Sequence, residues 1–348
     1  MDQPTYYSGI DLHKRTSFIT TVNQHGLIVK QQQLHNHREA LKAYFASQPG
    51  DHRAVVESTT GWYWLRDLFD EHGIALKLAH AKYLKAISYA KVKTDKVDSE
   101  TLAQLLRLDM IPEAHQISTE LRDQRDVLRT RLRLVGRRTG SINSVHRLLE
   151  KFNQRDVVDL PALYQLQARC HLDQAELLRQ QIKALEKALH PTLVPNQDVQ
   201  RLLRIPGTGK TNAFTIYLET DGIERFATDK QFFSYCRLVP GANNSGSSRR
   251  HRSGNKDGNR YLKMAFSHAS AKAIQYYGEI RTFYRSKRRS KGQAIARTLV
   301  AKELARIVYQ VLKRQESFNG RFKGKTLSRV KAQQWPLLPS PSGITGAG

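Results

Sequence analysis

The sequence has few cysteines, few acidic residues and no long apolar run, and each shortage excludes a class of protein. Its two cysteines, Cys170 and Cys236, lie far apart and lack the spacing of metal ligands. We therefore expect a reducing cytoplasm and no structural zinc. The 13 histidines include no His-Glu-x-x-His pattern, which argues against a zinc hydrolase. No signal peptide, lipidation motif or membrane-length apolar segment is present, so we expect no membrane partner.

What the chain has in excess is positive charge. Lys and Arg number 57 against 31 Asp and Glu, and the formal net charge is +26. Such an imbalance repels itself unless an anionic partner binds. The hydrophobic content of 39% and the length of 348 residues suffice for two globular domains with a helical spacer. Nucleic acid is therefore the expected partner.

The first third of the chain alternates β-prone runs with amphipathic segments. Strands are predicted over 6–10, 17–22, 27–29, 54–56 and 74–78, and helices over 38–48, 62–71 and from Asp95 onward. This order predicts a mixed α/β layer domain.

The middle of the chain carries a heptad stripe, at Leu121, Leu128, Val135, Ile142 and Leu149. A second stripe includes Leu178, Ile182 and Leu189, so the two segments predict either an antiparallel hairpin or pairing between subunits. The first helix has an arginine-rich polar face that includes Arg129, Arg133, Arg137 and Arg138. A solvated charged face is the ordinary interpretation, but the arginine excess favours contact with a nucleic-acid backbone.

The last third contains Ile205-Pro206-Gly207-Thr208-Gly209-Lys210, a Gly/Ser/Arg-rich loop over 241–259, and apolar helices predicted at 261–277 and 293–313. Beyond Ser317 the chain is basic and then Pro/Ser/Gly-rich, which predicts a disordered tail.

Four carboxylates stand where a metal site would need them. Asp11 and Glu57 each close a predicted strand, and Asp95 and Asp98 lie three apart at a helix start. Phosphodiester chemistry uses divalent ions, and Mg²⁺ prefers oxygen ligands. Each acid alone has a simpler interpretation; Asp95, for example, could merely cap the helix. Together they predict a magnesium site.

These residues resemble a known family. Gly9-Ile10-Asp11-x-x-Lys14, Glu57-x-x-x-Gly61 and Lys93-Thr94-Asp95-Lys96-Val97-Asp98 are similar to the catalytic domain of DEDD transposases, the recombinases of IS110-type insertion sequences. Relatives of these enzymes act as site-specific DNA invertases. The resemblance implies an RNase H-like fold, similar to Holliday-junction resolvases, in which the four acids bind Mg²⁺.

The loop Val239 to Arg252 is rich in Gly, Ser and Arg, residues that suit close approach to phosphate. From the residues alone it is a phosphate-binding loop, and no serine stands out as a nucleophile. Leu238-Val239-Pro240, Ser245-Gly246 and Lys256-x-Gly258-x-x-x-Leu262 resemble the C-terminal domain of the same family, which implies that Ser245 attacks DNA. Backbone contacts are then expected from the nearby basic residues, Arg249, Arg250, Arg252, Lys256, Arg260 and Lys263. Gly207, Gly209 and Lys210 resemble a helix-hairpin-helix turn, whose backbone amides bind phosphate.

The predicted architecture is α/β plus α. It comprises an RNase H-like domain (1–117), a coiled-coil spacer (118–195), a mostly helical transposase domain (196–316) and a tail (317–348). The resemblance implies a bacterial, nucleoid-associated recombinase that cuts and rejoins target and donor DNA through a serine-phosphate intermediate. It also implies guidance by a structured noncoding "bridge" RNA and a tetramer built as a dimer of dimers. The alternatives are a junction resolvase that uses water as its nucleophile, and a non-catalytic nucleic-acid-binding scaffold.

Overall fold

The computed structural model describes residues 4–59, 61–87, 94–239, 244–245, 248–249 and 257–328. Its contacts divide the chain into two units, residues 1–116 and 117–348. Within the described residues, no helix combines the length and the apolar character needed to cross a membrane.

The first unit contains a five-stranded mixed sheet. Its strands are β1 (Thr5–Leu12), β2 (Thr16–Val22), β3 (Ile28–His35), β4 (Asp51–Glu57) and β5 (Ala75–Ala79), and its helices are α1 (Arg38–Ala46), α2 (Tyr63–Glu71), α3 (Ala81–Ile87) and α4 (Asp95–Arg107). The strand order is β3-β2-β1-β4-β5. β2 pairs antiparallel with both β1 and β3, whereas β4 pairs parallel with β1 and β5. The mixed α/β domain predicted from the sequence is confirmed.

Helices cover both faces of this sheet. The Thr20 hydroxyl lies 2.7 Å from the Ser99 hydroxyl of α4, and the Thr21 hydroxyl lies 2.9 Å from the Tyr44 hydroxyl of α1. Successive residues of a strand point to opposite faces, so α4 and α1 lie on opposite sides of β2. Phe45 and Phe69 meet edge to face at 5.0 Å, which joins α1 to α2.

Gly9 allows α4 to lie directly on β1. A Cβ atom at Gly9 would come within 2.0 Å of the Ser99 carbonyl oxygen and 2.5 Å of the Ala103 nitrogen. No side chain fits in this space, because both atoms belong to the backbone of α4. The glycine therefore sets the distance between the strand that carries Asp11 and the helix that carries Asp95.

The second unit begins with a long helical hairpin, α5 (Thr119–Lys151) and α6 (Ala162–Leu193). Ser141 bonds to Gln174 and Arg131 bonds to Glu186, so the two helices run antiparallel. The heptad residues Leu128 and Leu149 are buried within this one chain. Of the two arrangements left open by the sequence, the structure therefore shows the antiparallel hairpin within one chain.

The rest of the second unit is mostly helical. Its elements are α7 (Gln197–Leu203), α8 (Lys210–Thr220), α9 (Asp229–Tyr235), β6 (Asn244–Ser245), β7 (Ser248–Arg249), α10 (Arg260–Tyr276), α11 (Gly278–Lys291), α12 (Gln293–Arg314), β8 (Arg321–Phe322) and β9 (Lys325–Thr326). The helical hairpin contributes Leu128, Leu189 and Leu193 to the core of these helices.

The C-terminal part departs from the sequence prediction in two places. α11 was not predicted, because six of its fourteen residues are Lys or Arg and few are apolar. Disorder beyond Ser317 was also predicted, but within residues 317–328 β8 and β9 form an antiparallel pair and Phe322 is buried. The rest of the predicted tail, residues 329–348, lies outside the described residues. Phe322 packs against Phe283 of α11, which gives this short segment an apolar anchor.

Candidate metal centre and nucleic-acid interface

The sheet places Asp11 and Glu57 at the same end of two neighbouring strands. β1 and β4 are parallel, and their register pairs Ile10 with Val56. Asp11 and Glu57 are the next residues along each strand. The sequence-based expectation that the two strands are neighbours therefore holds in the structure. The sequence predicted Asp11 as the last residue of its strand, but β1 continues to Leu12.

Asp95 and Asp98 occupy the first turn of α4, as the spacing predicted. The cap residue of this helix is Thr94, whose hydroxyl accepts a hydrogen bond of 3.3 Å from the Val97 amide. Asp95 is therefore not the helix cap, and its carboxylate is left for other partners. Lys93 of the same motif lies outside the described residues.

Asp11, His13 and Asp95 form a tight group of metal-ligand type. Their ligand atoms lie within 4.8 Å of one another. The His13 Nε2 atom is 3.2 Å from Asp11 Oδ2 and 3.3 Å from Asp95 Oδ2, so the imidazole bridges the strand and the helix. Sequence reasoning missed His13, which lies two residues after Asp11 and just beyond the end of β1.

The surroundings of Asp11 disfavour an isolated negative charge on its carboxylate. Burial raises the pKa of the Asp11 carboxyl; His13 opposes this shift, and the negative charges of Asp95 and Asp98 add to it. Asp98 thus lies close enough to act on Asp11. Two carboxylates suit a divalent ion, and the imidazole between them can orient their oxygens. Among the described residues, the 4.8 Å group includes neither Glu57 nor Asp98.

The loop predicted to carry the nucleophile is described only in part. Ser245 ends β6 and pairs with Ser248 of β7, and Asn244 pairs with Arg249. Arg250, Arg252 and Lys256 lie outside the described residues. The choice of Ser245 as nucleophile stays a prediction.

The chain that leaves this loop is held firmly. The Asn259 amide donates to the Tyr235 carbonyl at 2.6 Å, and the Arg237 Nε donates to the Gly258 carbonyl at 2.7 Å. Gly258 has a φ of +100°, and a Cβ there would lie 2.5 Å from the Tyr235 carbonyl oxygen. The Asn259 side chain also caps α10 by accepting from the amides of Tyr261 and Leu262. The position where the loop ends is therefore fixed by α9.

Arg129 makes contacts inside the second unit, and its predicted contact with nucleic acid stays a prediction. Its Nε and Nη2 atoms donate to the two carboxylate oxygens of Glu219, at 2.6 and 2.7 Å. The guanidinium also lies 4.8 Å from the centre of the Tyr261 ring. Because these two donors bind a buried carboxylate, Arg129 stabilises the packing inside the second unit.

The other predicted backbone-binding residues differ in exposure. Arg133 and Arg137 are exposed on α5, and Arg260 and Lys263 are exposed on the first turn of α10. Arg138 is half-buried, and its Nε has no hydrogen-bond partner among the described residues. All five stay predictions, and the four exposed ones can be reached by a large anionic partner.

The Gly207–Lys210 segment connects α7 to α8. At Gly207, φ is +76° and a Cβ would lie 2.1 Å from the Ala269 carbonyl oxygen of α10, so packing alone requires this glycine. Gly209 is the N-cap of α8 and provides no side-chain cap, and the space around its Cα is open. Lys210 is exposed beside His190. The phosphate-binding prediction is therefore compatible with Gly209 and Lys210, whereas Gly207 serves the fold.

An acidic cluster on a mixed sheet, followed by a basic helical unit, is typical of enzymes that act on the phosphodiester backbone of nucleic acids. Comparisons with known proteins give the particular family. Residues 8–154 match the DEDD transposase model of the IS110 type, and residues 199–285 match the transposase IS116/IS110/IS902 family. The chain belongs to the IS110 family of transposases and is a DNA transposase.

Two transposases of insertion sequence elements are similar to this chain. The transposase for insertion sequence element IS1111A of Coxiella burnetii is 24% identical over 348 aligned positions, which cover 89% of this chain and 90% of that protein. The transposase for insertion sequence element IS1328 of Yersinia enterocolitica is 24% identical over 251 positions, covering 67% and 73%. The similarity to the first relative extends over both units.

Proposed function

We propose that the first unit is an RNase H-like catalytic domain that binds Mg²⁺. The observation that carries this proposal is the group of Asp11, His13 and Asp95, in which a strand end and a helix start meet at one point. The strand order, with three antiparallel strands followed by two parallel ones, also supports it. Asp11 and Asp95 would hold the ion, with Glu57 and Asp98 completing the set. When bound, the ion would stabilise negative charge on the phosphate.

Ser245 is the proposed nucleophile. Its Oγ loses a proton and bonds to a DNA phosphorus, while the bond from that phosphorus to one bridging oxygen breaks and the departing oxygen takes up a proton to become a DNA hydroxyl. The phosphate stays joined to the serine until a DNA hydroxyl from another strand loses its proton and attacks the phosphorus, which breaks the bond to Oγ and returns a proton to the serine. The basic residues after Ser245 would hold the phosphate oxygens, because arginine donates paired hydrogen bonds to phosphate. The family resemblance supports this assignment, and so does the strand pairing of Ser245 with Ser248, the residue before Arg249.

A guide RNA and a tetramer complete the proposal. The formal net charge of +26 suits a complex that contains RNA as well as DNA. In such a complex base pairing reads the sequence while the protein binds the backbone. The exposed leucines Leu163, Leu166 and Leu177 of α6 offer an apolar surface for a second copy of the chain.

The test is the covalent adduct between protein and DNA. End-labelled DNA carrying the element ends is incubated with the full chain, the structured noncoding RNA and Mg²⁺, and is then resolved on a denaturing gel. We expect an adduct with the unaltered protein, its loss in Ser245→Ala, and its retention in Ser247→Ala and Ser248→Ala. Asp11→Ala and Asp95→Ala should also form no adduct, while they still bind DNA.

Three outcomes would contradict the proposal. DNA cleavage without any adduct would point to water as the nucleophile, as in a junction resolvase. An adduct that survives Ser245→Ala would place the nucleophile elsewhere. Full activity of Asp11→Ala or Asp95→Ala would remove that residue from the metal site.

A further inference from the structure

The second unit has a strongly basic surface on α11 and α12 that none of the sites above includes. Eleven of the residues from 278 to 314 are Lys or Arg, and two are Glu. Ile280 and Tyr284 are buried and anchor α11 to the core. Arg285, Arg288 and Arg297 are exposed. The two helices α11 and α12 therefore present these charges to solvent.

A cleft gathers these charges. Arg285 and Arg288 of α11 and Arg297 of α12 line a space of about 420 Å³ between α10, α11 and α12. Arg281 lines the same cleft, but its guanidinium is hydrogen-bonded to the backbone. It donates to the carbonyls of Ile274, at 3.1 Å, and Gln275 at the end of α10. Arg281 therefore fixes the wall of the cleft, and the other three arginines are left for a ligand.

Nearby acidic groups do not neutralise the three arginines. Within the described part of the chain, no carboxylate lies within 4 Å of Arg285, Arg288 or Arg297. The acids of this region have other partners. Glu279 accepts from the Ser328 hydroxyl, and Glu303 pairs with Arg306 and Lys323. Three positive charges in one cleft repel one another, and an anionic partner would relieve this repulsion.

We propose that Arg285, Arg288 and Arg297 form a binding surface for the phosphate backbone of duplex DNA, here called the α11 surface. Arginine suits this partner because its planar guanidinium donates paired hydrogen bonds to phosphate. Single strands are bound by exposed aromatic rings on which bases stack. The aromatic residues of α11 do not offer such a ring, since Tyr284 is buried and Phe283 packs against Phe322. The inference rests on membership of a DNA transposase family and does not require Ser245 or Mg²⁺ to act as proposed.

The experiment compares two triple variants of the full chain. One is Arg285→Gln/Arg288→Gln/Arg297→Gln. The control is Arg169→Gln/Lys183→Gln/Lys187→Gln, which removes the same charge from exposed positions of α6. Binding to a fluorescent DNA duplex is measured by anisotropy over a series of salt concentrations, with EDTA present so that no metal-dependent step occurs. Because catalysis is absent, the result does not depend on the proposed nucleophile or metal.

The first triple variant should bind the duplex about 10-fold or more weakly near 0.15 M salt, and its plot of log K against log salt should be flatter by about three units. The control should retain the slope of the unaltered protein. Circular dichroism and the thermal midpoint identify any variant that fails to fold. In that case the single variants Arg288→Gln and Arg297→Gln test the proposal, and each should flatten the salt slope by about one unit. Equal loss in both triples, or no loss in either, would overturn the proposal. Weakened RNA binding with duplex binding intact would also overturn it and assign the surface to RNA.

Discussion

The Arg129 guanidinium binds the buried Glu219 carboxylate through two parallel hydrogen bonds, of 2.6 and 2.7 Å. The Asn259 side chain donates to the same carboxylate at 2.6 Å. One acid thereby joins the helical hairpin, α8 and the cap of α10. Since Asn259 follows the serine-rich loop, this network also holds the point where that loop rejoins the fold.

We expect Arg129→Met to lower the free energy of unfolding of the second unit by about 3–5 kcal/mol, because it leaves the buried Glu219 charge without its cation. Adding Glu219→Gln in the same chain should restore part of this loss, since the uncompensated charge is gone. Arg131→Met is the matched control. Arg131 lies two residues away and pairs with the half-exposed Glu186, so its loss should cost less than about 1 kcal/mol. Chemical denaturation followed by circular dichroism measures all three, and equal losses for the two arginines would contradict the prediction.

The Arg129 pair shows why part of the structure could not be read from the sequence. A heptad pattern places Arg129 on the polar face of α5, but its partner lies 90 residues further along the chain. The carboxylates were easier, since strand ends and helix starts are local signals. Asp11 lies in one group with Asp95, and the charge of Asp98 acts on Asp11, whereas the four-acid metal site stays a prediction. His13 was missed because it follows the strand and belongs to no acidic pattern. α11 was missed because Ile280 and Tyr284 alone mark its buried side.

Gly9→Ala should destabilise the first unit and displace α4 from β1. The added methyl group has no room beside the Ser99 carbonyl, and overpacking of this kind costs about 1–3 kcal/mol. Gly140→Ala is the control, because a Cβ at this position of α5 meets open space. That change should stabilise the chain by about 0.5–1 kcal/mol, since alanine favours a helix over glycine. Equal thermal midpoints for Gly9→Ala and the unaltered protein would contradict the close approach.

His13→Ala should reduce adduct formation in Mg²⁺ about 10- to 100-fold without abolishing it, because the imidazole orients the two aspartates. Asp11→Ala should instead abolish the adduct, since it removes a ligand. His25→Ala is the control, as His25 is exposed in the turn between β2 and β3. Rates are compared over a range of Mg²⁺ concentrations. A His13→Ala rate equal to that of the control would show that the imidazole has no part in the site.

The double substitution Leu166→Gln/Leu177→Gln should weaken the self-association of the full chain, so that smaller oligomers form. Both leucines are more than half exposed, at 59% and 55%, and lie three turns apart on one side of α6. Leu163 extends the same stripe, at 74% exposure, whereas Leu128 and Leu149 of α5 are buried within the chain. A second copy is therefore the partner we expect for this surface. Arg169→Gln/Lys187→Gln serves as the control, since both residues are exposed on an adjacent side of α6.

Light scattering coupled to size-exclusion chromatography gives the mass of each variant at several protein concentrations. The unaltered protein and the control should show an oligomer that the leucine variant forms less readily, because each buried leucine side chain contributes about 1.5–3 kcal/mol to association. Circular dichroism should be unchanged, since the substituted side chains face solvent in the isolated chain. If the leucine variant keeps the mass of the unaltered protein, the α6 stripe is not the contact between copies, and the proposed tetramer must be built through another surface.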